Sequence, residues 1–278
     1  MNKGLLLLLF VPFAVFPHHP SGNPGLQTFD PITGRQKPGN YLVLSEEVRK
    51  GALGYRDEYI TSVFMEKGFL QGKAGINLLL SQYYFSQKER ADAARIGKIY
   101  LGGRYSPFAG KYSFFSLVLD GNIGIPFGSN AIFTGGNYYT LSGGMTSVTS
   151  YADFIVSARI QGMAPLGRDS ATDNEGTRIL LKKTSAGMLS AGYKIKQRFV
   201  FSLGYFAQKP YYGMEKKDSS KSGKEEVPDH SIYREYLAGV SVAVNEKFTF
   251  LINYKRPVYR NEFKPYDSSL VFSLVMVF

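Results

Sequence analysis

The chain predicts an all-β fold, a transmembrane antiparallel up-and-down β-barrel of about 12 strands with short periplasmic turns and longer external loops. Three observations lead there. Apolar residues recur with a period of two, the signature of a strand with two unlike faces, rather than the period of a helix. Short and long connections alternate along the chain, as they do when turns gather at one barrel end and loops at the other. No run of 18 or more apolar residues follows the first twenty, so no helix is long enough to cross a bilayer.

Composition agrees with that fold. The 278 residues include 20 Tyr, 21 Phe and 30 Gly, and 44% are hydrophobic, yet the mean hydropathy is slightly negative. Apolar residues are plentiful but dispersed, as expected when each strand is apolar on one face only. Trp is absent, so an aromatic girdle has to be built from Tyr and Phe. With no Cys there are no disulfides, thiolate metal sites, Cys nucleophile or lipidated N-terminal Cys. The net charge of +11 is scattered rather than gathered into a stripe. With no nucleic-acid motif present, outer-membrane lipid and lipopolysaccharide are the expected anionic partners, and nucleic acid is not one.

Taken in order, residues 1–17 (MNKGLLLLLFVPFAVFP) place Lys3 before an apolar core, Leu5–Phe16, too short to span a bilayer and suited to a signal peptide cut between 16 and 22. Residues 18–39 form a Pro/Gly-rich stretch without periodicity, an irregular periplasmic or lumenal arm. His18 and His19 sit there with no third ligand nearby, so no metal site is expected. The barrel is assigned to 40–278, with strands at about 40–49, 54–65, 70–86, 95–106, 111–125, 136–148, 150–163, 178–193, 198–210, 231–244, 247–257 and 267–278. The stretch 54–65 also accommodates helix.

Alternation is clearest in four of these. Phe115, Leu117, Leu119, Ile123 and Ile125 oppose Ser116, Asp120 and Asn122. Ala152, Phe154, Val156, Ala158 and Ile160 oppose Tyr151, Asp153, Ser157, Arg159 and Gln161. Phe199, Phe201, Leu203 and Tyr205 oppose Ser202, Gly204 and Gln208, while Phe248, Phe250, Ile252 and Tyr254 oppose Thr249, Asn253 and Lys255. Charges on one face and aliphatics on the other describe a barrel inside-out relative to a soluble one. Tight turns are expected at 106–110, Thr149, 194–197 and 245–246, and polar loops at 86–94, 126–135, 164–177, 210–230 and 256–266.

Ser268–Phe278 (SSLVFSLVMVF) alternates to an aromatic end and resembles the closing strand of bacterial outer-membrane barrels, which the barrel-assembly machinery recognises. The resemblance implies Phe272 and Phe278 as an assembly signal, with the even residues facing lipid and Ser269 and Ser273 inside. A second likeness lies in the run from Gly97 to Tyr105 (GKIYLGGRY), followed by the strand ending Asn122-Ile123-Gly124-Ile125-Pro126-Phe127-Gly128-Ser129. With the start Asn40-Tyr41-Leu42-Val43, this resembles the outer-membrane barrels of the MetA-pathway phenol-degradation transporter family. Phe127 stands where that pattern usually carries Thr. The likeness is tight over about 95–130 and implies passive passage of small solutes, aromatic or hydrophobic ones among them.

Some barrels of this size hydrolyse lipids, but the residues here supply no catalytic set. His230 is the only His beyond residue 19, its neighbours Asp229 and Ser231 point to opposite strand faces, and no Gly-x-Ser-x-Gly occurs. No enzyme activity and no cofactor are expected. Parity instead makes Lys98, Arg104, Asp120, Asp153, Arg159, Glu235 and Lys255 inward charges, with Asn122, Gln161 and Gln208 as polar companions. Two readings of these lumen-lining residues stand side by side. They form a field that selects a permeating small-molecule solute, or opposite signs pair across a narrow barrel and close it. A non-conducting surface barrel, using its external loops for adhesion or envelope contact, is the alternative to a channel, and a lipid-modifying hydrolase the third.

Overall fold

β-branched and aromatic residues in two-residue alternation favour extended chain, because each side chain packs on a pleated surface with one apolar face. In the computed structural model this pattern produces strands almost throughout. The structure describes residues 37–51, 57–86, 93–108, 114–127, 138–166, 170–172, 178–181, 183–196, 198–208, 212–217, 224–226, 233–258 and 266–278. The expected signal peptide, most of the expected arm, and His18, His19 and His230 lie outside them.

The strands are β1 (Tyr41–Lys50), β2 (Asp57–Phe69), β3 (Ala74–Ser86), β4 (Ala93–Ile96), β5 (Ile99–Tyr105), β6 (Phe115–Ile125), β7 (Tyr139–Tyr151), β8 (Phe154–Leu166), β9 (Ser170–Thr172), β10 (Arg178–Leu181), β11 (Thr184–Ile195), β12 (Phe199–Gln208), β13 (Tyr212–Lys217), β14 (Lys224–Glu226), β15 (Tyr233–Ala243), β16 (Phe248–Pro257) and β17 (Ser268–Val277). β4 and β5 both pair with β3 and make one interrupted wall strand, so the sheet closes as 12 antiparallel strands. Closure runs through β1, which pairs β2 on one side and β17 on the other, with Tyr41 opposite Val277 and Ser45 opposite Ser273.

The lipid face can be read from what it exposes. Leu119, Leu141, Ile160, Leu189, Leu203, Ile252 and Phe272 are large, apolar and exposed, whereas the residues between them are less exposed and include Thr140, Ser142, Arg159, Gln161 and Ser190, polar and buried. Outward aromatic pairs mark the two rims. Tyr59–Tyr84 and Tyr205–Tyr236, each with centroids 5.5 Å apart, lie toward the long-loop end, and Phe154–Tyr193, at 4.9 Å, toward the short-turn end. These are girdles built without Trp.

Three expectations are corrected here. Thr149 is not a turn: β7 runs on to Tyr151, and the reversal falls at Ala152-Asp153, where Ala152 takes a positive φ of 51°. That removes Ala152 from the lipid-facing set and Asp153 from the inward one. Within 54–65, the described residues from Asp57 onward are strand rather than helix, since β2 pairs with β1 and β3. The loops 164–177 and 210–230 are not wholly irregular, because β9, β13 and β14 lie in them and join β10 in a second, four-stranded sheet. Its order β9-β10-β13-β14 repeats that of β8, β11, β12 and β15, the barrel strands these segments continue. Polar residues pair there as well as apolar ones because the ladder bonds are backbone bonds.

Candidate functional site

The interior is the candidate site, and side chains reaching between non-neighbouring strands locate it. In a closed sheet such contacts form only on the concave face, where side chains converge. Val43, Phe64, Leu79, Tyr100, Leu251 and Val275, from β1, β2, β3, β5, β16 and β17, form one buried apolar cluster there. Parity made this face polar. Leu251 between Thr249 and Asn253 was legible as an inward position, but its place in one cluster with Tyr100 depends on barrel curvature.

Toward the long-loop end the same side carries an ionic network. Arg49 donates to Glu47 and Glu58 at 2.9 Å each, and Lys255 and Ser269 donate to Glu47 at 3.2 and 2.7 Å. The Arg49 guanidinium lies 5.0 Å from the Tyr266 ring centre, and Tyr266 donates its hydroxyl proton to Glu235. Removing several charges from water costs several kcal/mol per ion, about what close pairing returns. Such a network therefore specifies geometry more than it adds stability. Glu47, Arg49, Glu58 and Glu66 were not singled out from sequence. Glu46, Glu47, Arg49 and Lys50 look like a solvated run until the alternation from Tyr41 is followed through them.

At the short-turn end, Arg104 donates to both Glu66 oxygens at 3.1 and 3.2 Å, and Glu66 also accepts from the Gly39 backbone N–H at 2.9 Å. Residues 37–40 thus lie on the inner faces of β2 and β3. Gly68 is required there: a Cβ would sit 2.7 Å from the Gly39 Cα. On the neighbouring strand β6, Asp120 stands in register beside Arg104 and pairs instead with Arg159, which lies 2.8 Å from Oδ1, donates to Oδ2 at 2.9 Å, to Thr146 at 2.7 Å and to Gln161 at 3.2 Å. This ion pair joins β6 and β8 over Gly144 of β7.

The remaining sequence-derived positions divide. Asn122 lies on the inner face of β6 against Gly102. Gln208 and Glu235 are buried inner-face residues of β12 and β15. Asp153 is exposed in its turn, outside the interior set. Phe272 and Phe278 face outward, exposed at 43% and 68%. Lys98 is buried, with its Nζ 3.3 Å from the Tyr138 ring centre. Among the described residues no group of three or more His, Cys, Asp or Glu could hold a metal ion.

A closed barrel with an apolar belt outside and paired charges inside is the inverse of a soluble barrel. The fold is the β-barrel of bacterial outer membranes. Comparison with solved structures agrees: an outer-membrane channel from Pseudomonas putida F1 superposes with a TM-score of 0.63 at 11% identity, over 93% of this chain and 100% of that one. The NanC porin superposes with a TM-score of 0.52 at 12% identity, over 85% of this chain and 98% of that one. No protein-family model and no curated protein matches the chain.

Proposed function

We propose that the barrel is an outer-membrane channel for passive passage of small solutes, shut by its own side chains in the conformation described. The observation that supports this reading is the inner wall of β6, β7, β8 and β11. It carries Asp120, Asn122, Ser142, Thr146, Ser157, Arg159 and Ser190 among the apolar Val118, Val148, Ile155, Met163 and Met188, a polar share that a barrel interior serving only as a core would not need. Both solved relatives above are a channel and a porin by name. The finer reading, that aromatic or hydrophobic solutes are carried, rests on the resemblance of 97–105 and 122–129 to phenol-degradation transporters. Short turns then face the periplasm, lipopolysaccharide surrounds the long-loop end, and Phe272 and Phe278 serve the assembly machinery. Reconstitution into planar bilayers tests the channel. Discrete conductance steps are expected, and their absence, together with no solute flux into liposomes, would sink it.

A second reading has one observation behind it. The sheet β9-β10-β13-β14 extends the wall at the long-loop end, the kind of surface a non-conducting barrel presents for adhesion. Deleting 212–226 separates the two: a channel keeps its conductance, and an adhesin loses its binding. A hydrolase using His230 predicts deacylase activity that disappears in His230→Ala.

A further inference from the structure

We propose that Lys98 is the anchor of a binding site for small carboxylates inside the barrel. The site begins with a defect in the wall. Gln82 pairs with Ile96 and Leu79 with Tyr100, so Leu80 and Ser81 of β3 face three residues, Gly97, Lys98 and Ile99. This is a β-bulge, held by the Gly97 N–H donating to the Ser81 carbonyl at 2.7 Å. Bulges re-aim side chains, and this one directs Lys98 across β6 to the Tyr138 ring just before β7.

Lys98 is 3% exposed, and its Nζ has no hydrogen-bond partner among the described residues. The other buried cations there all have a carboxylate: Arg49 has Glu47 and Glu58, Arg159 has Asp120, and Lys255 has Glu47. An aromatic face stabilises an ammonium, but it supplies neither an acceptor for its N–H groups nor a compensating charge. A buried hydroxyl lies on the same patch. Thr140 is 1% exposed, and its Oγ1 stands beside the Tyr100 phenol without a well-aligned hydrogen bond among the described residues. Tyr100, Gly124 and Thr140 form one row across β5, β6 and β7. Lys98 and Tyr138 stand two residues farther along their strands on the same face. Because Gly124 has no side chain, the Tyr100 ring lies flat on β6, where an added Cβ would be 2.8 Å from its Cε1.

An ammonium lacking an acceptor, with a buried hydroxyl on the same face and the rings of Tyr100 and Tyr138 flanking both, matches one carboxylate. The anion takes N–H donors from Lys98 and the hydroxyl proton of Thr140, and an attached ring or short chain lies against the tyrosines. No bond forms or breaks. The site rests on the channel reading for the route by which a solute arrives, but its binding can be read without conduction.

The test is calorimetric titration of the full chain, folded in detergent micelles and checked by heat-modifiable gel migration, with benzoate, acetate and neutral benzamide. Saturable benzoate binding is expected, weakened at least tenfold in Lys98→Met, retained in Lys98→Arg and weakened in Thr140→Val, with benzamide not binding. Acetate matching benzoate keeps the anchor and assigns the specificity to charge alone. Should Lys98→Met fail to fold, Lys98→Arg and Thr140→Val carry the comparison, and unchanged binding in Thr140→Val then overturns the site. Equal binding by wild type and Lys98→Met, or no benzoate binding by a wild type that conducts, overturns it while leaving the channel standing. Lys98-dependent binding by a barrel that does not conduct upholds the site and removes the channel.

Discussion

The two sides of the barrel interior solve the same problem differently. On the side of β16, β17, β1–β3 and β5, six strands contribute to one apolar cluster, above which Lys255 reaches Glu47 and Tyr266 reaches Glu235. On the side of β6–β8 and β11, the described side-chain contacts are polar and span at most one intervening strand. Arg159 grips Asp120 over Gly144, and the Ser157 and Ser190 hydroxyls pair with each other across adjacent strands. The first side is a packed core with buried charge. The second mixes polar side chains with Val118, Val148, Ile155, Met163 and Met188, and its polar share makes it the natural place for a solute path. One closed sheet thus supports both a stabilising half and a permissive half, because bulky residues are concentrated on one arc.

Mutations that treat the halves alike should expose the difference. The largest effect is expected for Arg49→Leu. It leaves Glu47 and Glu58 buried without their shared cation, at a cost of about 3–5 kcal/mol, read as a lower urea midpoint for the folded barrel in lipid vesicles. Next comes Phe272→Arg on the lipid face, which costs about 2–4 kcal/mol near the bilayer midplane and should reduce the heat-resistant, membrane-inserted fraction. Normal insertion there would contradict the assignment of faces. Arg159→Leu should cost about 2 kcal/mol, less than Arg49→Leu because it removes one ion pair rather than two. It should also widen the permissive half, seen as larger conductance steps. A loss equal to that of Arg49→Leu would erase the contrast between the halves. The smallest expected change is a gain. Lys196→Gly, at a tight-turn residue with φ of 49°, should stabilise by about 1 kcal/mol through relief of left-handed strain.

The strands, the lipid face and the alternation of turns were legible because each depends on residues one or two apart. Phe199, Phe201 and Leu203, or Phe248, Phe250 and Ile252, declare their face without knowledge of any neighbour. The turn after β7 was missed by three residues. Thr149 and Ser150 continue the alternation as well as end it, and only pairing with β8 shows that the chain runs on to Tyr151. β9, β13 and β14 were missed because their largely polar sequences gain their order from a neighbouring backbone. Glu47, Arg49 and Glu58 escaped notice for a related reason: a charged run in a strand looks solvated unless its partners are known.

The sequence by itself determined that this chain is an inside-out barrel, because a two-residue period with aliphatics on one face and charges on the other has few other resolutions. It also determined most of the residues that point inward. Only the tertiary structure decided which of those residues meet. Closure brings β1 against β17, which places Glu47 within reach of Lys255 and Ser269, more than two hundred positions away. Curvature gathers six apolar side chains from six strands, and a one-residue bulge turns Lys98 away from every carboxylate described. Strand parity is a local property of the backbone, whereas pairing is set by register and curvature, which no stretch of the chain carries alone.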